Sequence, residues 1–238
     1  IEALGSYRER IVTVAIGDNQ ASFLGAAGSE KNTLLVNMGT GGQISVLSDQ
    51  YFTAEGIEAR PFLQGAYLLA GSSLCGGKAY ALLEKFFREF MKAATGQEEP
   101  LYKTLEKLAR DGKASCVGKE EKQRLQIETT FDGTRVHPEQ SGSITNLCAE
   151  NFTPAAFVYG TLEGMSRELY QMYQTIQNGT GMKIKRMIGS GNGLRKNPVL
   201  CEIVEEMFGA KLVLAECEEE AATGAAVSSM QQQGGQIL

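Results

Sequence analysis

Apolar residues follow a strand-like pattern over the first third of the chain. Short runs of β-branched and aliphatic residues end at glycine or serine, which is typical of strands closed by turns. These runs lie at residues 10–16, 33–36, 43–47 and 66–70. Between the first two, the small residues from Ala21 to Ala27 predict a helix.

A helical period begins near Cys75. It produces one apolar stripe, which we expect to pack into the core, made of Leu82, Leu83, Phe86, Phe87 and Phe90. A second helix is predicted from Pro100 to Arg110, and an edge strand from Arg124 to Phe131. The segments 111–122 and 133–150 are predicted to be irregular connections.

The last part of the chain alternates helices and strands. Thr153 and Pro154 are typical of a helix N-terminus, and this long helix is predicted to end near Gln177. The elements predicted after it are a strand at 185–188, a helix at 198–208 closed by Gly209, a strand at 211–214 and a helix at 219–231. This order is typical of an α/β nucleotide-binding domain.

Composition narrows the possible partners. The 238 residues are 42% hydrophobic and carry 23 Lys+Arg against 28 Asp+Glu, a net charge of −5. The basic residues are scattered, so neither nucleic acid nor a membrane is expected as a partner. No apolar run reaches the ~20 residues of a membrane helix. The chain has no initiator Met, so we expect it to be part of a longer protein.

The cysteines and the histidine argue against a metal site. The five cysteines are widely spaced and none forms a Cys-x-x-Cys pair, which fits free thiols in a reducing cytoplasm. His137 is the sole histidine and precedes Pro138, so we interpret it as a loop or structural residue rather than a catalytic one.

The segment Asn37–Gly42 is the strongest chemical signal in the sequence. Its glycines follow an apolar strand, and glycine lets backbone N–H groups close on an anion while Thr40 adds a hydroxyl donor. A nucleotide is therefore the leading ligand hypothesis. A hairpin turn needs the same residues, with 43–47 as the returning strand, and this alternative stays open.

A second glycine-rich turn, Gly189–Gly193, follows a predicted strand about 150 residues later in the chain. Neither turn matches the P-loop or the dinucleotide-binding pattern. Two loops that grip one nucleotide from two sides, and two unrelated tight turns, are both compatible with the sequence.

Asp18 is a candidate general base. It is predicted at a strand edge, with Gly17 for access and the amides of Asn19 and Gln20 for substrate hydrogen bonds. The alternative is a plain helix N-cap.

Taken together, three segments resemble the C-terminal nucleotide-binding half of the FGGY family of carbohydrate kinases. They are residues 17–25, 37–41 and 189–197, and the closing segment 220–226 is also similar to the family's last helix. Within the family, the first and third segments are most similar to sedoheptulokinases.

The resemblance implies an α/β, actin-like (ribonuclease H-like) ATPase domain with a mixed sheet flanked by helices, spanning residues 1–238. It implies Asp18 as the catalytic base and places Asn19 near the sugar. It assigns phosphate binding to Gly39, Thr40 and Gly41, and adenosine binding to Gly189, Ser190, Gly191 and Asn197. ATP and Mg²⁺ are the implied cofactors.

The resemblance also implies binding partners for this chain. The family's N-terminal Asp-x-Gly-Thr phosphate motif is absent, so a missing N-terminal domain is an expected partner beside the sugar and ATP; a homodimer is left open. A non-catalytic nucleotide-binding regulatory or assembly module of the actin-like superfamily is the alternative. Neither the sugar nor the hydroxyl that accepts the phosphate follows from the sequence.

Overall fold

The centre of the protein is a mixed β-sheet with helices on both faces. The computed structural model describes residues 5–7 and 10–232. The strands in chain order are β1 (Gly5–Tyr7), β2 (Arg10–Val12), β3 (Thr33–Met38), β4 (Gly42–Ser48), β5 (Ile57–Pro61), β6 (Tyr67–Ser73), β7 (Gln126–Glu128), β8 (Ser143–Thr145), β9 (Arg186–Ser190) and β10 (Leu212–Leu214).

The helices cover the sheet and lie in the connections between its strands. In chain order they are α1 (Asp18–Ala27), α2 (Gly76–Thr95), α3 (Tyr102–Cys116), α4 (Pro154–Thr180), α5 (Asn192–Arg195), α6 (Pro198–Phe208) and α7 (Glu220–Gln232). Short 3-10 turns lie at Leu63–Gly65 and Glu121–Gln123. In the described part of the chain, no helix has the length and apolar character needed to cross a membrane.

The sheet order is β10-β9-β3-β4-β6-β5. The strands β10, β9 and β3 are parallel, whereas β4, β6 and β5 continue the sheet by antiparallel pairing. Two small two-stranded antiparallel sheets, β1–β2 and β7–β8, lie outside it. Because β9 and β3 run parallel as neighbours, the turns that follow them emerge at the same end of the sheet.

Alternating side chains of β3 supply two separate cores. Leu34, Val36 and Met38 pack with helices α2, α3, α4 and α6 on one face. Leu35 points to the other face, where Phe23 and Ala27 of α1 cover it. This period-two division is what a strand buried on both faces requires.

Helix ends account for much of the local agreement with the sequence. Thr153 caps α4 as predicted, its hydroxyl accepting the N–H of Ala156 at 3.2 Å. Gly209 ends α6 in the left-handed conformation, with φ 63°. On the other face α1 packs against α7, where an added Cβ at Gly224 would lie 1.8 Å from the oxygen of Ala21.

Several predicted boundaries differ from the structure. The strand predicted at 10–16 is only Arg10–Val12, and residues 13–17 belong to no strand or helix. The strand predicted at 124–131 is β7, which is shorter. The sequence patterns missed β5 and β8, and the connection predicted at 111–122 begins with the last residues of α3.

The prediction that the whole α2 stripe is core is wrong. Leu83 and Phe87 pack against the core, but Leu82, Phe86 and Phe90 are 40%, 65% and 66% exposed. The helix instead buries Ala79 and Glu84. A helical period shows that one side is apolar, but it does not show which part of that side meets the sheet.

We therefore predict that Phe90→Ser changes the free energy of unfolding by less than about 0.5 kcal/mol, as at other surface positions. Leu105→Ala, at a fully buried position of α3, should cost about 2–5 kcal/mol. Urea unfolding of both variants checks this. A loss above 2 kcal/mol for Phe90→Ser would show that the stripe is a core element.

Candidate functional site

The two glycine-rich turns predicted from the sequence are neighbours in the structure. In the β3–β9 pairing, Asn37 lies opposite Ser190, near the end of each strand. The Asn37 Nδ2 donates to the Ser190 hydroxyl at 2.7 Å, and Ser190 is fully buried. This hydrogen bond joins the ends of both strands.

The second turn packs directly on the first. Gly191 has a φ of 84°, and an added Cβ there would lie 2.6 Å from the oxygen of Met38 and 3.1 Å from the nitrogen of Gly39. At Gly193 a Cβ would lie 2.7 Å from the same Met38 oxygen. The alternative of two unrelated tight turns does not describe this arrangement, because the two form one surface.

The first turn is both a hairpin and a group of free donors. It joins the antiparallel strands β3 and β4, with the N–H of Gly39 donating to the oxygen of Gly41 at 3.0 Å. The oxygens of Gly39 and Thr40 accept the N–H groups of Gly77 and Lys78, each at 2.9 Å. The exposed N–H and hydroxyl of Thr40 make no hydrogen bond to any described residue. They are therefore available to an external acceptor such as a phosphate oxygen.

A cavity of about 900 Å³ opens beside both turns. Its wall includes Asn37, Gly39, Thr40, Gly191, Asn192, Gly193 and Asn197, together with residues of α2, α3 and α4. This volume is within the range of small-molecule sites, about 300–1,000 Å³. The cavity can accept a ligand the size of a nucleotide, and hydrogen-bond donors for an anion lie at one side of it.

The cavity also has an aromatic wall. The rings of Tyr80 and Tyr102 lie 6.1 Å apart at 37°, and both side chains line the cavity. Burial raises the pKa of Tyr80, so its phenol stays neutral at physiological pH. Lys103 and Lys196 add positive charge to the same wall. Flat apolar faces with nearby cations suit a planar, negatively charged ligand.

The predicted nucleotide residues fall into two groups. Gly39, Thr40, Gly191 and Asn197 line the cavity. The remaining three lie outside its lining: Gly41, Gly189 and Ser190. The Ser190 hydroxyl accepts a hydrogen bond from the Asn37 side chain, and the Gly189 oxygen accepts the N–H of Ala215 at 2.8 Å.

Asn197 also has a structural role. Its Oδ1 accepts the N–H of Leu200 at 3.1 Å and caps α6. The residue is 7% exposed, so most of its side chain faces protein. The helix-capping hydrogen bond also fixes the position of Asn197 in the cavity wall.

Asp18 is the first residue of α1, and the N-cap alternative for it is wrong. Gly17 occupies the cap position with an extended backbone. The Asp18 Oδ1 accepts the backbone N–H of Asn19 at 2.7 Å and the Asn19 side-chain amide at 3.2 Å. No described residue hydrogen bonds the second carboxylate oxygen of Asp18, so that oxygen is free to accept a proton.

Asp18 and Asn19 do not line the 900 Å³ cavity. A smaller cavity of about 200 Å³ lies beside the start of α1, between Gly17, Gln20 and the segment Pro61–Leu63. The Gln20 amide donates to the oxygen of Pro61 at 3.4 Å. The predicted base therefore does not line the cavity that Gly39, Thr40, Gly191 and Asn197 line.

His137 lies on an exposed loop, as predicted. Its Nε2 is 2.8 Å from Glu55 Oε1, and its Nδ1 is 3.3 Å from Glu139. It borders a second cavity of about 610 Å³, whose lining shares no residue with the first. Among residues 5–7 and 10–232, no group of three or more His, Cys, Asp or Glu side chains is arranged to hold a metal ion.

Sequence reasoning missed the α2 side of the cavity. Gly76 and Gly77 follow β6 and begin α2, which makes them a third glycine-rich turn, this one between a strand and a helix. That signal was visible in the sequence. Tyr102 reaches the cavity from α3, and nothing local in the sequence indicates that contact.

Comparisons with known proteins identify relatives of this chain. The sequence profile described as "FGGY family of carbohydrate kinases, C-terminal domain" matches residues 34–231. The sedoheptulokinase of Mus musculus is 25% identical over 230 residues, covering 92% of this chain and 46% of that protein. The chain therefore spans less than half the length of this relative.

Solved structures show the same fold. The xylulose kinase from Bifidobacterium adolescentis matches with a TM-score of 0.76 and 20% identity, covering 95% of this chain and 42% of that one. The gluconate kinase from Lactobacillus acidophilus matches with a TM-score of 0.79 and 17% identity, covering 96% and 44%. The predicted mixed sheet flanked by helices is confirmed.

We predict that Gly191→Ala lowers the free energy of unfolding more than Gly181→Ala. Both glycines have positive φ, so both variants strain the backbone, but a Cβ at Gly181 meets nothing within 4 Å. The clash with Met38 should add about 1–3 kcal/mol at Gly191. Urea unfolding measures both, and equal losses would contradict the close packing of the two turns.

Proposed function

The chain belongs to the FGGY family of carbohydrate kinases, and from that premise we propose that it is the ATP-binding half of an enzyme that phosphorylates a sugar hydroxyl. Its fold is the actin-like ATPase fold of that family. The observation that carries the proposal is the shared surface of the two glycine turns beside a cavity of nucleotide size. The non-catalytic regulatory module is not favoured, because the matched family consists of kinases.

In this proposal the nucleotide occupies the 900 Å³ cavity. The free N–H and hydroxyl of Thr40 bind phosphate oxygens, and the adenosine part lies towards Gly191, Asn197 and the tyrosines. The described part of the chain holds no acidic cluster of its own for a metal. Mg²⁺ would therefore bind mainly through the nucleotide phosphates, and it would neutralise their charge.

Asp18 is proposed as the general base. Asn19 holds one carboxylate oxygen, which leaves the other to accept the proton of the sugar hydroxyl. The sugar oxygen then forms a bond to the γ-phosphorus, the bond from that phosphorus to the β–γ bridging oxygen breaks, and ADP leaves. We propose that Asn19 and Gln20 hydrogen bond other sugar hydroxyls.

We propose a ketose such as sedoheptulose as the substrate, on the strength of the similarity to curated sedoheptulokinases at 25% identity. We also propose that a second, N-terminal domain completes the site. This is supported by the share of the relatives that the chain spans, which is 46% of the Mus musculus sedoheptulokinase. A cytoplasmic location is proposed from the free cysteines.

In a full-length protein carrying both domains, Asp18→Asn should lower sugar turnover by about 10²–10⁴-fold, the range for a lost general base. ATP affinity should change little, because Asp18 does not line the nucleotide cavity. ADP release in the presence of Mg²⁺ and a panel of ketoses and polyols measures this. The matched control is Asp111→Asn, an exposed aspartate on α3, and equal activity of the two variants would contradict the role of Asp18.

The 238-residue chain alone should bind ATP weakly and phosphorylate no sugar. Phosphoryl transfer depends on positioning and charge stabilisation by both sides of the site, and this chain supplies one side. The same ADP-release assay with purified chain tests this expectation. Robust sugar-dependent turnover would contradict the need for a second domain.

A further inference from the structure

Lys78 is a cavity lysine with a partner that the proposed mechanism does not use. Its Nζ lies 2.7 Å from the Oδ2 of Asp132, which belongs to the segment after β7. The two side chains are 42% and 39% exposed. Lys78 lines the 900 Å³ cavity, whereas Asp132 does not.

Lys78 is also fixed to the first glycine turn through its backbone. Its own N–H donates to the oxygen of Thr40, and the preceding residue, Gly77, donates to the oxygen of Gly39. The other two lysines of the cavity, Lys103 and Lys196, form no ion pair with a described residue and adjoin Tyr102 and Asn197 in the chain. Lys78 is thus the cavity lysine attached to the turn with the free donors.

We propose that Lys78 binds the phosphate tail of the nucleotide and exchanges Asp132 for it on binding. This inference rests on the proposed nucleotide site. Without nucleotide, the Asp132 carboxylate pairs with the Lys78 ammonium. A phosphate group of the nucleotide then displaces the carboxylate.

Two physical arguments favour the exchange. An ion pair exposed to this degree contributes little net free energy, because water screens both charges. A triphosphate carries several negative charges, and charge-assisted hydrogen bonds to phosphate are among the stronger ones. The flexible four-carbon stem of lysine lets the ammonium move between partners while its backbone stays fixed.

The charge state of Lys78 supports the proposal. The hydrogen bond and the charge of Asp132 raise the pKa of Lys78, so the ammonium is fully protonated at neutral pH. No deprotonation competes with phosphate binding. The residue is a permanent positive charge on the wall of the cavity.

A purely structural role of the Lys78–Asp132 ion pair predicts the opposite effect of Asp132→Asn on ATP binding. If the ion pair only ties the segment around Asp132 to α2, loss of either partner disturbs the cavity in the same way. If Asp132 competes with phosphate, loss of Asp132 frees the lysine, whereas loss of Lys78 removes the contact. The sign of the Asp132→Asn effect therefore separates the two accounts.

The experiment is calorimetric titration of the 238-residue chain with ATP, ADP and adenosine. Lys78→Met should weaken ATP binding by about 10-fold or more, equivalent to about 1.4 kcal/mol, and leave adenosine within about 2-fold. Asp132→Asn should strengthen ATP binding by about 2- to 5-fold, as expected for release of a weak exposed ion pair. Lys78→Arg should keep most of the affinity, and the double variant should resemble Lys78→Met.

Lys31→Met is the matched control. Lys31 forms a surface ion pair with Asp49 at 2.6 Å, so its loss changes the net charge equally without touching the cavity. Thermal melting of each variant confirms that the fold is intact.

Weaker ATP binding in both Lys78→Met and Asp132→Asn would overturn the inference, and so would an unchanged affinity in Lys78→Met. Absence of any nucleotide binding by the wild-type chain would overturn the nucleotide site and the inference together. Effects of opposite sign, with no sugar turnover by the full-length protein, would support the inference and contradict only the phosphoryl-transfer proposal.

Discussion

The parallel pairing of β3 with β9 is the constraint on which the site depends. It places Asn37 opposite Ser190 and joins them by a partly buried hydrogen bond at the ends of the two strands. Residues more than 150 positions apart in the chain therefore turn away from the sheet side by side. A shift of this register would separate the two glycine turns and remove the common wall of the cavity.

The rest of the cavity is assembled around that fixed edge. Helix α2 begins against the first turn, so Gly77 and Lys78 are held by the backbone oxygens of Gly39 and Thr40. Helix α3 adds Tyr102, and Asn197 contributes from the cap of α6. Asp18, at the start of α1, lies outside the cavity lining.

The sequence predicted elements whose signals are local. The cap at Thr153, the glycine end of α6 and the order of the strands and longer helices from 153 onwards follow from short-range chemistry, whereas the four-residue helix α5 was not predicted. The sequence did not predict features that depend on tertiary packing. Phe86 and Phe90 are exposed because α2 buries its small residue Ala79 and the hydrogen-bonded Glu84 instead, whose Oε1 accepts the N–H of Leu101 at 3.1 Å. The edge strand β5 was missed because it has only five residues and ends at Pro61, so its alternation of apolar and charged residues is too short to stand out.

The most direct test of the shared nucleotide site is an amide chemical-shift map of the isotopically labelled chain titrated with ATP and Mg²⁺. The account predicts that the largest shifts fall on Thr40, Gly41, Gly191 and Asn192, from both turns at once, and that they saturate together. Shifts confined to one turn, or centred on the separate cavity that His137 borders, would contradict the claim that the two turns bind one nucleotide.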